Sequence, residues 1–279
     1  MQQVHTNVFY MPTTPQVTNS EKTPLLFLGH GSPMNAIEEN PFVEGFRQVA
    51  NLFQKPRAIV CISAHWYTKG SFVTHDEHPR TIYDFYGFPP SLYDVRYPAK
   101  GHPVLATQVK ALLHPTEVNL DTSWGLDHGC WSVLKHLYPD ASVPVIQLSL
   151  DRTKTAAEHY TLAQRLADLR KEGILIVGSG NLVHNLRLVN FNLLNSPGAA
   201  YQWATEASAY IKQCLKERDI NSLINTHQQP AFMQLAVPTP DHYLPLMYLL
   251  GLWEDDEEMT LFNDELVGGS ISMTSLLVH

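Results

Sequence analysis

Short apolar runs rich in β-branched residues recur along the chain, and their lengths define the first picture of the fold. Leu25–Leu28, Ala58–Ser63, Ser71–Thr74, Val143–Leu148, Ile174–Val177 and Ile271–Leu277 are the right length for buried strands. Between them lie helical patterns over Pro41–Phe53, Pro103–Leu113, Cys130–Leu137, Thr155–Arg170, Ala199–Lys216 and Asp241–Leu250. Strands that alternate with helices predict an α/β fold, with a mixed, largely parallel sheet covered on both faces.

The segment HPRTIYDFYGFPPSLYDVRYPAKGHP, residues 78–103, breaks this rhythm. Its prolines, tyrosines and phenylalanines follow no clean period. It reads as a long ordered loop, and such loops commonly cover a functional site. The acidic run EDDEE at 254–258 reads as a solvated surface loop. No repeat, low-complexity tract or Gly/Ser-rich linker divides the chain, so the expected organisation is a polar N-terminal extension over 1–22 and a single domain over 23–279.

At 279 residues, 44% hydrophobic and 16% charged, the chain is globular in composition. A core of that size needs no disulfide or metal merely to hold together. Any metal would therefore serve function. The net charge of −8 and the absence of basic clusters argue against a nucleic-acid partner. Cys61, Cys130 and Cys214 are widely spaced and form no CxxC pair, as expected of reduced thiols in a cytoplasm. The N-terminus lacks the basic and apolar regions of a signal peptide, and no run is long enough to span a bilayer, so the expected location is cytoplasmic.

The chain carries 14 histidines, and their positions matter more than their number. His30 follows LLFLG and His65 follows AIVCISA, so each sits just past the carboxyl end of a predicted core strand, where open α/β sheets bind ligands. His184 follows another such strand through Gly178-Ser179-Gly180. His242, in PTPDHYLP, lies in the expected first turn of a helix begun by Thr239, Pro240 and Asp241. His128, in WGLDHGCW, opens another helical pattern. Together these imidazoles predict a shared metal site; imidazole suits zinc, iron, copper and nickel alike. His75, His78, His102, His114 and His136 fall in polar or surface-like settings, and His159 lies on a charged helix; none is assigned chemistry.

The runs LFLGHGSPMN, SAHW, DFYGFPPSLYDVRYPA, WGLDHGCW, PVIQLSL, GSGNLVHNL and PTPDHYLPL, taken in order from about residue 24 to the C-terminus, resemble the 4,5-DOPA dioxygenase extradiol family, a branch of the class III (LigB-type) extradiol ring-cleavage dioxygenases. The resemblance implies a three-layer α/β/α fold and one non-haem metal, Fe(II) for catalysis, with Zn(II) able to occupy the site in purified protein. It places His30, His65 and His242 at the metal. It makes His184 either a further ligand or the acid/base, and sets His128 against the substrate. The implied reaction inserts O₂ beside the diol of a catechol such as DOPA, leaving a ring-opened muconic semialdehyde.

Tyr83, Phe85, Tyr86, Tyr93 and Tyr97 in the aromatic loop would stack on the catechol, and Arg80 or Arg96 would pair with a carboxylate on its side chain. Asn181 and Asn185 would orient His184. Two other readings stay open. A zinc hydrolase would use the same histidines but needs a carboxylate, and Asp127 and Asp241 are the best-placed acidic residues of these motifs, both also suited to helix starts. A non-enzymatic metal-binding interaction module would keep the fold without turnover. The oligomeric state, monomer or homo-oligomer, is open.

Overall fold

Three of the apolar runs lie side by side as parallel strands at the centre of a six-stranded sheet in the computed structural model, which describes residues 22–194 and 198–279. The expected N-terminal extension lies outside the described residues, except for Lys22. The sheet strands are β1 (Leu25–Gly29), β2 (Ala58–Ser63), β3 (Val145–Gln147), β4 (Ile174–Gly180), β5 (Met259–Phe262) and β6 (Ser275–Val278). Their order is β3-β2-β4-β1-β6-β5. The β3/β2, β2/β4 and β4/β1 pairs are parallel, and β1/β6 and β6/β5 are antiparallel. The sheet is thus mixed and largely parallel, as the alternation of elements predicts.

Every residue of β1, β2 and β4 is buried, which explains why these runs are continuously apolar rather than alternating. Alternate side chains feed two cores. Leu25, Phe27, Val60, Ile62 and Ile176 pack on one face with helices α2 (Pro103–Leu112), α4 (Ala156–Gln164), α6 (Gln202–Glu217) and α7 (Leu244–Leu252). Leu26, Leu28, Ile59, Cys61 and Val177 pack on the other with α1 (Pro41–Val49) and α3 (His128–Leu137). Helix α7, apolar on nearly every side, is buried over almost its whole length, as a helix without a polar face must be. No helix among the described residues is long and apolar enough to cross a membrane.

The expected helix Thr155–Arg170 is two helices, α4 and α5 (Ala167–Lys171), with Arg165 closing the first. A capping box between Thr155 and Glu158 starts α4. The expected strand Ile271–Leu277 is interrupted at Met273 and Thr274, where Met273 N–H bonds to Glu265 instead of continuing the ladder. Edge strand β5 escapes the apolar pattern because most of it is only half buried.

The acidic run is not simply a solvated loop. Glu257 is 5% exposed and grips the buried Arg170 guanidinium with both carboxylate oxygens, while Lys22 lies 3.4 Å away. Opposite charge explains the burial of an acidic side chain there. His136 and His159, expected in surface-like or charged settings, are also core residues, at 5% and 0% exposure. Each has found a hydrogen-bond partner inside: His136 Nε2 bonds to the Asn35 carbonyl, and His159 lies between Tyr248 and Asp151.

Candidate metal centre and active site

The register of the central strands sets three carboxyl ends level, because Gly29 pairs with Gly180 and Ser63 with Ser179. The chain then leaves each strand with an imidazole close by. His30 follows β1 directly and keeps a backbone bond to Gly180, while His65 follows β2 after one further ladder bond from Ala64 to Ser179. His184 comes after β4 through a turn that is tied by its own N–H to the Ala236 carbonyl. His242 lies in the turn leading into α7, which begins at Leu244 rather than enclosing the histidine. His128 is the first residue of α3, with Asp127 as its N-cap.

Glycine makes two of these approaches possible. A Cβ on Gly180 would meet the His242 carbonyl oxygen at 2.1 Å, so only glycine lets this turn seat against the end of β4. A Cβ on Gly129 would fall 2.8 Å from the His65 ring. The glycines therefore bring helix ends and imidazoles into one crevice.

His30 Nε2 lies 3.1 Å from His65 Nε2. Potential ligand atoms of His30, His65 and His128 all fall within 4.8 Å of one another. The His242 ring is 5.2 Å from that of His30 and 5.0 Å from that of His65, centre to centre. His184 stacks on His242, centroids 3.5 Å apart and nearly parallel. All the sequence-predicted site histidines thus meet in one place, with His128 closer to His30 and His65 than its expected role as a pocket lining implies.

Hydrogen bonds behind the rings decide which nitrogen faces inward. The Ser179 hydroxyl is 2.5 Å from the Gly129 carbonyl, which can only accept, so its proton is used there and its oxygen accepts from His30 Nδ1 at 3.1 Å. His30 Nε2 is then an open lone pair. Asp241 Oδ2 accepts from His242 Nδ1 at 2.5 Å, and Asp84 Oδ2 accepts from His128 Nδ1 at 3.0 Å, with the same consequence for their Nε2 atoms.

Burial, reinforced by the neighbouring imidazoles, holds His30 and His65 far below the ordinary histidine pKa. Burial does the same to His184, with His242 adding to the shift and Asp241 opposing it. Crowded, neutral imidazoles with inward lone pairs fit a divalent cation of the zinc or iron kind. Burial pushes the Asp84 carboxyl up, but its hydrogen bond and charge contact with His128 outweigh this and leave it low; Asp241 is likewise lowered by His242 against its own burial.

The aromatic loop folds over this cluster. The Ile82 carbonyl accepts from Trp131 Nε1, and the Phe85 ring packs edge-on against His128, at 5.4 Å, and tilted against Trp131, at 6.2 Å. Tyr83 and Tyr93 pack behind Phe85, and Arg96 caps the Tyr83 ring and bonds its hydroxyl. Tyr86 points into solvent at 91% exposure. Tyr97 does not face the site. It is 1% exposed and donates to the Tyr138 carbonyl, so the apolar core has claimed it.

Asn181 and Asn185 do not hold the His184 ring. Their amides donate to the Ser272 and Leu235 carbonyls and brace the backbone of the turn. Asp127 belongs to the helix start, bonded to Ser63, Gln147 and the Cys130 N–H, as its structural reading predicts. The acidic residue that touches the imidazoles on this side is instead Asp84, which sequence reasoning missed. Its only signal was its place between Tyr83 and Phe85, as one of the loop's two carboxylates beside Asp94. Ser179 was equally hidden, between the two glycines at the end of β4.

Comparison with known proteins supplies the family. Residues 24–273 match the family described as the catalytic LigB subunit of aromatic ring-opening dioxygenase. The chain is 45% identical to the 4,5-DOPA dioxygenase extradiol of Escherichia coli K12, an alignment that covers 94% of this chain and 97% of that one. It is 36% identical to the protein of the same name from Beta vulgaris, over 89% and 94% of the two chains. A crystal structure of an uncharacterized protein from Escherichia coli K12 superposes with a TM-score of 0.80 at 41% identity, covering 92% of this chain and all of that one.

Proposed function

The chain belongs to the LigB family of aromatic ring-opening dioxygenases and is a metal-dependent extradiol dioxygenase; on that premise we propose that its substrate is a DOPA-like catechol, opened to a muconic semialdehyde. Residues 23–279 act as one catalytic domain, in the cytoplasm. His30, His65 and His242 hold the metal, and His184 stands beside it as a further ligand or proton acceptor. The observation that carries this reading is that the His30, His65 and His242 rings lie within 5.2 Å of one another, centre to centre, with His184 stacked on His242.

The metal would gather the two catechol oxygens and dioxygen and polarise them. Ring cleavage calls for Fe(II), because Zn(II) has no redox chemistry, although the all-imidazole donor set suits zinc as well. His128 Nε2 accepts the second phenolic proton, and the imidazolium that forms is paired through Nδ1 with the Asp84 carboxylate. The His128 imidazolium then returns that proton to an oxygen of the opening ring. Phe85 meets the catechol ring beside His128 and helps exclude water, while Tyr83, Tyr93 and Arg96 shape the loop around the substrate side chain; Tyr86, out in solvent, takes no part.

Oxygen uptake by anaerobically Fe(II)-loaded protein tests this directly, with L-DOPA and simple catechols as substrates. The expected result is one O₂ consumed per coloured ring-opened product. No uptake across the panel with iron confirmed bound would reject the reading and favour a zinc hydrolase or a binding protein.

A further inference from the structure

Asp84 contacts two imidazoles of the cluster at once. Its Oδ1 accepts the backbone N–H of His128 at 2.9 Å, and its Oδ2 accepts from His128 Nδ1 at 3.0 Å while lying 3.4 Å from His65 Nδ1. The carboxylate is largely buried, with 16% of the side chain exposed. It is clamped in place by the loop on either side, through the Trp131 bond to the Ile82 carbonyl and the packing of Phe85 on His128 and Trp131.

We propose that Asp84 is a positioning residue of the active site: its carboxylate fixes the tautomer of His128, and steadies the ring of His65, so that both Nε2 atoms face the cluster. An ionised carboxylate can only accept, so a ring nitrogen bonded to it must carry the proton. The other nitrogen of that ring is left as the lone pair that a base or a metal ligand needs. Asp241 does the equivalent for His242 and Ser179 for His30, from the scaffold. Asp84 alone does it from the aromatic loop. Docking of the loop and readiness of the base are therefore one event, which makes the loop part of the catalytic apparatus rather than only a cover.

The inference rests on the proposed proton role of His128, and the near-isosteric Asp84→Asn tests it. The amide oxygen of Asn can still accept the His128 backbone N–H, but its NH₂ then faces Nδ1 and drives the ring proton to Nε2. Imidazole ¹⁵N spectra of the full-length zinc-loaded protein, with His128 assigned from the His128→Gln spectrum, should show Nδ1–H in the wild type and Nε2–H in the variant. Zinc stoichiometry should stay at the wild-type value. In the iron form kcat should fall roughly 10- to 100-fold, with KM within about twofold as for a group acting after binding. Asp84→Glu, which keeps an acceptor-only group, should return the Nδ1–H tautomer and part of kcat.

An unchanged His128 tautomer in Asp84→Asn would overturn the proposal, whatever the loss of rate, because a merely structural role predicts that outcome. A tautomer that switches in a protein whose wild type cleaves no catechol would support the positioning role and overturn the proposed reaction instead. Should Asp84→Asn fail to fold, Asp84→Glu with the Nε2–H tautomer would count equally against it.

Discussion

His30 and His159 are both withdrawn from solvent, at 2% and 0% exposure, yet the two surroundings make different residues of the same side chain. His159 has a partner for each nitrogen: Tyr248 on Nδ1 at 3.2 Å and the Asp151 carbonyl on Nε2 at 3.1 Å. His30 has Ser179 behind Nδ1 and only another imidazole before Nε2. A saturated histidine fills a core, whereas a histidine with one nitrogen fixed and one lone pair turned on its neighbours is prepared to bind. Burial depresses the pKa in both, so titration does not separate them; the direction of the unsatisfied nitrogen does.

Four substitutions probe that contrast, beginning with the largest effect. Removing the inward nitrogen in His30→Ala should take catechol cleavage to background, beyond the roughly 10- to 100-fold that partners behind a ligand cost. An oxygen electrode gives the answer. His128→Ala should keep the metal but lower kcat roughly 10²- to 10⁴-fold, the range for loss of a general base. Metal analysis beside steady-state kinetics checks both halves.

His159→Leu should leave metal and turnover near wild type while changing stability. It strands the Tyr248 hydroxyl and the Asp151 carbonyl, at about 1–3 kcal/mol. Burial lowers the folded-state pKa of His159 to about 4 from 6.5. The unfolded chain therefore binds the extra proton first, and the His159 contribution to wild-type stability is full above pH 6.5 and declines as pH falls toward 4. The decline amounts to roughly 3 kcal/mol. Urea titrations of the zinc-loaded proteins across that window should show this slope in the wild type and a shallower one in the variant. Smallest of all, Tyr86→Ala should shift stability by no more than about 0.5 kcal/mol, because its ring stands in solvent.

The same contrast explains what was legible in the sequence. His30 and His65 announce themselves because a continuous apolar run fixes where a buried strand ends, and the next polar residue falls at the crevice. The central strands were readable for the same reason, and the largely parallel order followed from their alternation with helices. His184 and His242 were legible less directly, one past the glycines that end a strand and one at a helix start, and nothing local shows that these two distant turns stack their rings. Asp84 was illegible because its role depends on how a loop without period docks onto α3. Glu257, His136 and His159 were misread because burial of a polar residue is set by its tertiary partner, here Arg170, Asn35 or Tyr248, which lies far away in the chain.

The measurement that tests the account most directly is a zinc titration of the metal-free wild type, His30→Ala and His159→Leu against a competing chelator. The account predicts one tight ion per chain in the wild type and in His159→Leu, and loss of tight binding in His30→Ala. Tight binding that survives in His30→Ala, or that vanishes in His159→Leu, would contradict the distinction between the two kinds of buried histidine on which the site assignment stands.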